Sequence, residues 1–203
     1  MDRNADILIL FAHPALQNSR VHVRAAEAVQ SLEGVTFHDL YEVYPDFSID
    51  YKKEQALLLE HDVYVFQFPL YWYSTPALLK EWQDLVFEYD WAYGPRGRAL
   101  KGKKFLCALS AGGPERIYRE IEHNRFSLRK LLTPLEKSAV QCGMEFLPPF
   151  VIYNTFGLTA EEIEWHAERY RRLIAAMRFN KIHYAKLKRL SVINYDLDDI
   201  IAE

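Results

Sequence analysis

The chain has 203 residues, half of them hydrophobic, and a net charge of −3. That length suits one domain with a sizeable core, and the charge excludes a general nucleic-acid binder. Two distant cysteines, Cys107 and Cys142, predict a reducing compartment and supply no metal-type cluster.

Ile7 to Ala12 is a short continuous apolar run, as expected of a strand buried on both faces. It is too short, and its leader too weakly basic, for a signal peptide. No apolar run is long enough to span a bilayer, so a cytoplasmic protein is expected. From Ser19 to Leu32 the residues Val21, Ala25, Ala28, Val29 and Leu32 have helical spacing. Val35 to Asp39 reads as a second strand, Lys52 to Glu60 as a short helix and Val63 to Phe68 as a third strand. Pro76 suits the first turn of the next helix, with Thr75 as its cap. Leu78, Leu79, Trp82, Leu85 and Val86 form that helix's apolar face. Lys104 to Leu109 is a fourth strand, and Phe126 to Gly143 a long helix that Gly143 ends. Phe146 to Tyr153 is a fifth strand and Glu161 to Met177 a fifth helix.

This alternation predicts an α/β fold: a doubly wound, mostly parallel sheet covered on both faces. Residues 89–102 and the tail after Arg178 are irregular. The tail is basic at Lys181, Lys186, Lys188 and Arg189, then acidic at Asp196, Asp198 and Asp199. Such charge blocks read as a solvated or packed surface element.

In such a sheet, ligands bind beyond the carboxyl ends of the strands at the switch point. Three loops follow strand ends there. The first, Ala12 to Ser19, opens onto a helix whose free N–H groups suit a phosphate. His13 and Arg20 add charge to it, although Ser19 also suits a simple cap. The second, Pro69 to Thr75, holds Tyr71, Trp72 and Tyr73 in succession. Three rings there suit stacking on a flat ligand, with core or oligomer-interface packing as the other reading. The third, Ser110 to Tyr118, contains Gly112 and Gly113, which permit close approach of a ligand or else make an ordinary turn. The convergence of the three is stronger than any one. Gly97 to Lys103 imitates a P-loop, but it lacks the following Ser or Thr and precedes a strand. A G-x-G-x-x-G fingerprint, an H-E-x-x-H pattern and a nucleophile elbow are absent.

These residues resemble the flavodoxin-like NAD(P)H dehydrogenase (quinone) family, closest to the small bacterial branch with the ancillary proteins of glutathione-regulated potassium efflux. The likeness is carried by His13, Pro14 and Ser19, by Phe68 to Tyr73 with Pro76, Leu79 and Lys80, and by Phe87 to Gly94 with Ala99 to Lys103. Ser110 to Gly113 with Tyr118, Asn124 to Phe126, and Leu147 to Phe150 complete it. It spans about residues 6–177.

The resemblance implies a five-stranded flavodoxin-like sheet in the order 2-1-3-4-5, with residues 1–177 as the flavin-binding domain. Residues 178–203 would be an extension packed on the same domain or on a dimer partner. It further implies FMN, with FAD as the alternative, NAD(P)H as co-substrate, and a homodimer. His13, Ser19, Arg20 and Val21 would meet the phosphate end. Pro69, Leu70, Tyr71, Trp72 and Tyr73 would line the ring, with Trp72 and Tyr73 nearest it. Ser110, Ala111, Gly112, Gly113 and Tyr118 would approach its polar edge, and Tyr118 would donate a hydrogen bond near the reacting centre. The implied reaction is ping-pong transfer of two electrons from NAD(P)H to a quinone or similar acceptor. The chain departs from the family six residues beyond Tyr118, where a histidine is replaced by Asn124, with His123 one position short. The loop after the fourth strand also begins Ser110-Ala111, where the family has two threonines. Azoreductase or nitroreductase activity, a one-electron carrier, and a regulatory subunit of a potassium-efflux antiporter are the other readings. The last adds possible peripheral placement at the inner face of the cell membrane.

Overall fold

The computed structural model describes residues 3–119 and 126–202. Asn124 and His123 therefore lie outside the described residues. The sheet runs β2-β1-β3-β4-β5, with β1 Ile7–Phe11, β2 Val35–Asp39, β3 Val63–Pro69, β4 Lys104–Ser110 and β5 Glu145–Phe146. A sixth strand, β6 (Phe150–Ile152), also pairs with β4, and every pairing is parallel. The order is the expected one, but the expected fifth strand is split. Pro148 and Pro149 have no N–H to donate to a ladder, so pairing stops after Phe146 and resumes at Phe150.

The strands are apolar throughout because both faces are covered. Leu8 and Leu10 of β1, with Tyr64, Phe66 and Phe68 of β3, pack beneath α3 (Tyr51–Leu59) and α4 (Ala77–Val86). Ile7 and Ile9, with Val63 and Val65, face α1 (Arg20–Val29) and α7 (Ala160–Arg178) instead. One residue of register thus separates the two cores, as the two-residue period of a strand requires. A short helix, α2 (Leu40–Val43), follows β2.

Two helix expectations need correction. Thr75 does not cap α4: the N-cap is Pro76, in extended conformation and without a side-chain bond, so the proline precedes the first helical turn. The expected long helix from Phe126 to Gly143 is two helices, α5 (Leu128–Leu131) and α6 (Thr133–Gln141). Pro134 lacks the N–H that would bond back to residue 130, so the chain restarts there with proline in the new first turn. Gly143 does terminate α6, at φ +74°.

Beneath α3 the Glu54 carboxylate is 0% exposed. It accepts from Tyr44 Oη at 2.6 Å and Trp82 Nε1 at 2.8 Å, and lies 3.0 Å from His38 Nε2. Burial alone would raise its pKa, but these hydrogen bonds outweigh it and hold the carboxyl below its ordinary value.

After α7, which opens with a capping box at Thr159 and Glu162, the tail forms α8 (Tyr184–Leu187) and α9 (Leu197–Ile200). Leu187, Ile193, Leu197 and Ile200 are buried in the same core as Phe150 and Tyr170. Arg172 pairs with Asp198 at 2.6 Å and Lys188 with Glu145 at 2.7 Å. Among the described residues no helix is long and apolar enough to cross a membrane.

Candidate functional site

The carboxyl ends of β1, β3 and β4 open together on a cavity of about 240 Å³. His13, Ser19, Arg20 and Val21 line it from the first loop, Pro69 and Tyr71 from the second, and Ser110 from the third. Seven of the expected residues are thus brought together. Asn18, Thr155 and Phe156 also line it and were not read from the sequence.

Ser19 is the N-cap of α1, and its Oγ accepts from the His22 amide at 3.1 Å. The capping reading is therefore correct, and it leaves the preceding amides of Arg20 and Val21 at the cavity edge with the positive end of the helix. Arg20 reaches Leu158 O at 3.4 Å. His13 is buried, with its ring 6.0 Å from Tyr71 and 5.1 Å from His22. Burial lowers its pKa. His22 lies deeper, its Nε2 2.8 Å from Ser110 Oγ, and burial with the adjacent His13 lowers its pKa to about 3. His22 thus joins the first loop to the third. On an amphipathic helix, with its partner 88 residues away, it gave no local signal.

The aromatic loop is a two-residue reverse turn. Tyr71 and Ser74 exchange backbone hydrogen bonds at 3.1 and 3.0 Å. Trp72 and Tyr73 between them have φ of +46° and +64°. Positive φ at both central positions is the geometry that Asn-Gly usually supplies. Two large aromatics there carry strain, which collects at functional sites. Trp72 is 93% exposed. Tyr73 and Leu70 line an adjacent cavity of about 170 Å³, between this loop and the α4 and α6 helices, rather than the cavity of His13.

The third loop is tied to the turn after β6. Ala111 N donates to Ile152 O at 2.8 Å, and Asn154 N to Gly113 O at 2.9 Å. A Cβ on Gly112 would meet the Phe156 ring at 2.9 Å, and one on Gly113 would meet Ile117 at 2.2 Å. The two glycines make room for the chain's own side chains, which is a nearer reason for them than approach of a ligand. Phe156 itself is 91% exposed above this loop. Tyr118 ends a 3₁₀ turn, Glu115–Tyr118, with its ring 5.7 Å from Tyr153. Burial raises its pKa. Tyr118 does not line the 240 Å³ cavity. Among the described residues no group of His, Cys, Asp or Glu could hold a metal ion.

A protein-family profile described as Flavodoxin-like fold matches residues 5–174. The chain is 44% identical to the glutathione-regulated potassium-efflux system ancillary protein KefG of Cronobacter sakazakii, over 86% of this chain and 95% of that protein. It superposes on general stress protein 14 of Treponema denticola, solved in complex with FMN, with a TM-score of 0.80 and 40% identity, covering 85% of this chain and 99% of that one. An NADPH-quinone reductase of P. pentosaceus gives a TM-score of 0.74 and 30% identity, covering 83% and 96%. By the matched residues, the parallel sheet and these relatives, the chain belongs to the flavodoxin-like family.

Proposed function

We propose that the protein is a flavin-dependent NAD(P)H:quinone oxidoreductase that binds FMN in the cavity beyond β1, β3 and β4. The observation that carries this reading is the joining, in one cavity, of a helix N-terminus with Arg20 and aromatic walls from Tyr71 and Phe156. The residues present fit the group. The Arg20 and Val21 amides with the Arg20 guanidinium suit a phosphate. The strained turn of Trp72 and Tyr73, beside the adjacent cavity, offers rings to a flat ligand that extends past the cavity of His13. Its likeness to an FMN-bound protein and to a quinone reductase supports the same reading.

When bound, the flavin supplies the redox chemistry, accepting a hydride's two electrons from NAD(P)H and yielding them to a quinone or similar acceptor. The chain's own part is to bind, orient and exclude water. Ser19 holds the first turn of α1 in place for the phosphate. Ser110 Oγ and the Gly112 backbone offer polar groups to the ring's edge, Ala111 and Gly113 hold the loop to the turn after β6, and the Tyr118 hydroxyl donates near the reacting centre. Tyr118 reaches that centre only if the ligand extends past the cavity of His13 toward the third loop. The exposed Trp72 and Phe156 suit a homodimer whose sites lie at the interface.

The absorption spectrum of the purified protein and the mass of its released cofactor test the reading. Yellow protein releasing FMN is expected, and release of FAD would correct the cofactor. A colourless protein that takes up no added flavin overturns it. The likeness to KefG favours a second role, as a cytoplasmic subunit of a potassium-efflux system. Co-purification with such an antiporter, lost on deleting residues 178–203, is its test. Unaltered potassium efflux in a strain lacking the protein would count against it.

A further inference from the structure

Beneath the candidate site lies a cavity of about 10 Å³ walled by His22, Gln67, Ala108, Phe150 and Tyr170, all buried. That is about the space of one water molecule's centre, the least that a buried water requires. The walls are mostly apolar. Two of their buried nitrogens, His22 Nδ1 and Gln67 Nε2, have no hydrogen-bond partner in the protein. An unpaired buried polar group is costly, and a polar site with room for a water is where one is held.

The Tyr170 bond sets the direction of the Gln67 amide. Tyr170 Oη donates to Gln67 Oε1 at 3.0 Å, which leaves Gln67 Nε2 to donate toward the cavity. Burial keeps the His22 imidazole neutral, so one of its nitrogens donates and the other accepts. A water that accepts from Gln67 Nε2 has a proton to give, and His22 Nδ1 is the other unpaired nitrogen of these walls. The imidazole proton then sits on Nε2 and is donated to Ser110 Oγ, 2.8 Å away. Ser110, its oxygen engaged as an acceptor, has its own proton free for the cavity it lines above.

We propose that one buried water bridges Gln67 Nε2 and His22 Nδ1, and that this relay makes Ser110 a hydrogen-bond donor to an acceptor atom of the ligand above it. Gln67 and His22 are positioning residues in this scheme. The water and the tautomer stand without any reading of function; the consequence for the ligand rests on the proposed flavin site.

Nitrogen-15 NMR of the purified full chain, with a high-resolution crystal structure, tests the first part. The expected result is a protonated His22 Nε2, an unprotonated Nδ1, and one ordered water within hydrogen-bond distance of both nitrogens. Gln67→Leu should remove the water and let the two tautomers mix. A proton on Nδ1, or a dry cavity in the wild-type chain, overturns the proposal whether or not the variant folds. For the second part, FMN titration followed by fluorescence should show several-fold weaker binding for Ser110→Ala and near wild-type binding for Ser110→Thr. Equal affinity for all three removes the donor role. Failure of the wild type to bind any flavin refutes the proposed function and leaves the water site decided by the first measurements.

Discussion

The side chain of Asn194 pairs with the backbone of Val151 as a neighbouring strand would. Its Oδ1 accepts from Val151 N at 2.7 Å and its Nδ2 donates to Val151 O at 2.6 Å. Ile193 N also donates to Pro149 O at 3.0 Å, and Arg169 Nε to Asn194 O at 2.6 Å. The free edge of β6 is thereby closed by one residue of the tail, which answers the hazard of an open sheet edge. Asn194→Ala leaves a buried donor and a buried acceptor unpaired. A loss of about 2–4 kcal/mol is expected, read as a lower urea midpoint with an unchanged slope.

Glu54 collects three donors at a fully buried carboxylate, so it should be far less replaceable than a surface acid. Glu54→Ala strands Tyr44 Oη and Trp82 Nε1 and opens a void. It should cost about 3–5 kcal/mol. Glu54→Gln keeps one acceptor oxygen but turns an amide toward donors, and should lie between that variant and wild type. Equal stability of Glu54→Ala and wild type in denaturant titration would refute the network's importance.

Much of this was legible in the residues. Ile7 to Phe11 and Val63 to Phe68 announce doubly buried strands because no polar face interrupts them, and the three strand-end loops follow from their order. Pro134 and the Pro148-Pro149 pair are equally visible, but the apolar periodicity continues across them while their missing N–H groups break the helix and the strand. The contacts that escaped are long-range. His22 meets Ser110, and Asn194 meets Val151, through bonds that no local spacing encodes. Phe156 escaped because it follows the last strand, beyond the switch-point loops, although Asn154 to Gly157 has the composition of a turn.

Stability should fall as the pH drops below neutrality. His22 and His166 are buried, and burial lowers their pKa values to about 3 and about 4. In the unfolded chain each takes up a proton near its ordinary value of about 6.5. Between the two values the unfolded state binds more protons, so acidification favours unfolding by up to about 1.4 kcal/mol per pH unit for each histidine. Above about 6.5 neither state is protonated and the dependence disappears. His166→Gln should flatten the decline between about pH 6.5 and 5, where carboxylates contribute little. An unchanged slope would contradict the burial argument.

Tyr118 is placed by a 3₁₀ turn against Tyr153, with its pKa raised by burial, so its hydroxyl remains protonated at neutral pH. As a donor to developing charge it should matter in the transition state more than in binding. Tyr118→Phe should lower the rate of hydride transfer about a hundredfold, with little change in the affinity for FMN. Stopped-flow reduction by NADPH separates the two. An unchanged rate would remove Tyr118 from the reaction.

The turn at Trp72 and Tyr73 sets stability against binding. Both residues occupy the left-handed region, which costs a side chain with a Cβ about 1–2 kcal/mol. Glycine pays no such penalty, though it gains more freedom in the unfolded chain. Tyr73→Gly should therefore raise the stability of the flavin-free protein by about 0.5–1 kcal/mol. The same change removes a ring offered to a flat ligand, and should weaken FMN binding by about tenfold. Thermal unfolding without flavin and fluorescence titration with FMN read the two effects on one variant. A turn that served only the fold would gain stability with no loss of affinity. The opposed changes would show that the strain is kept for the ligand.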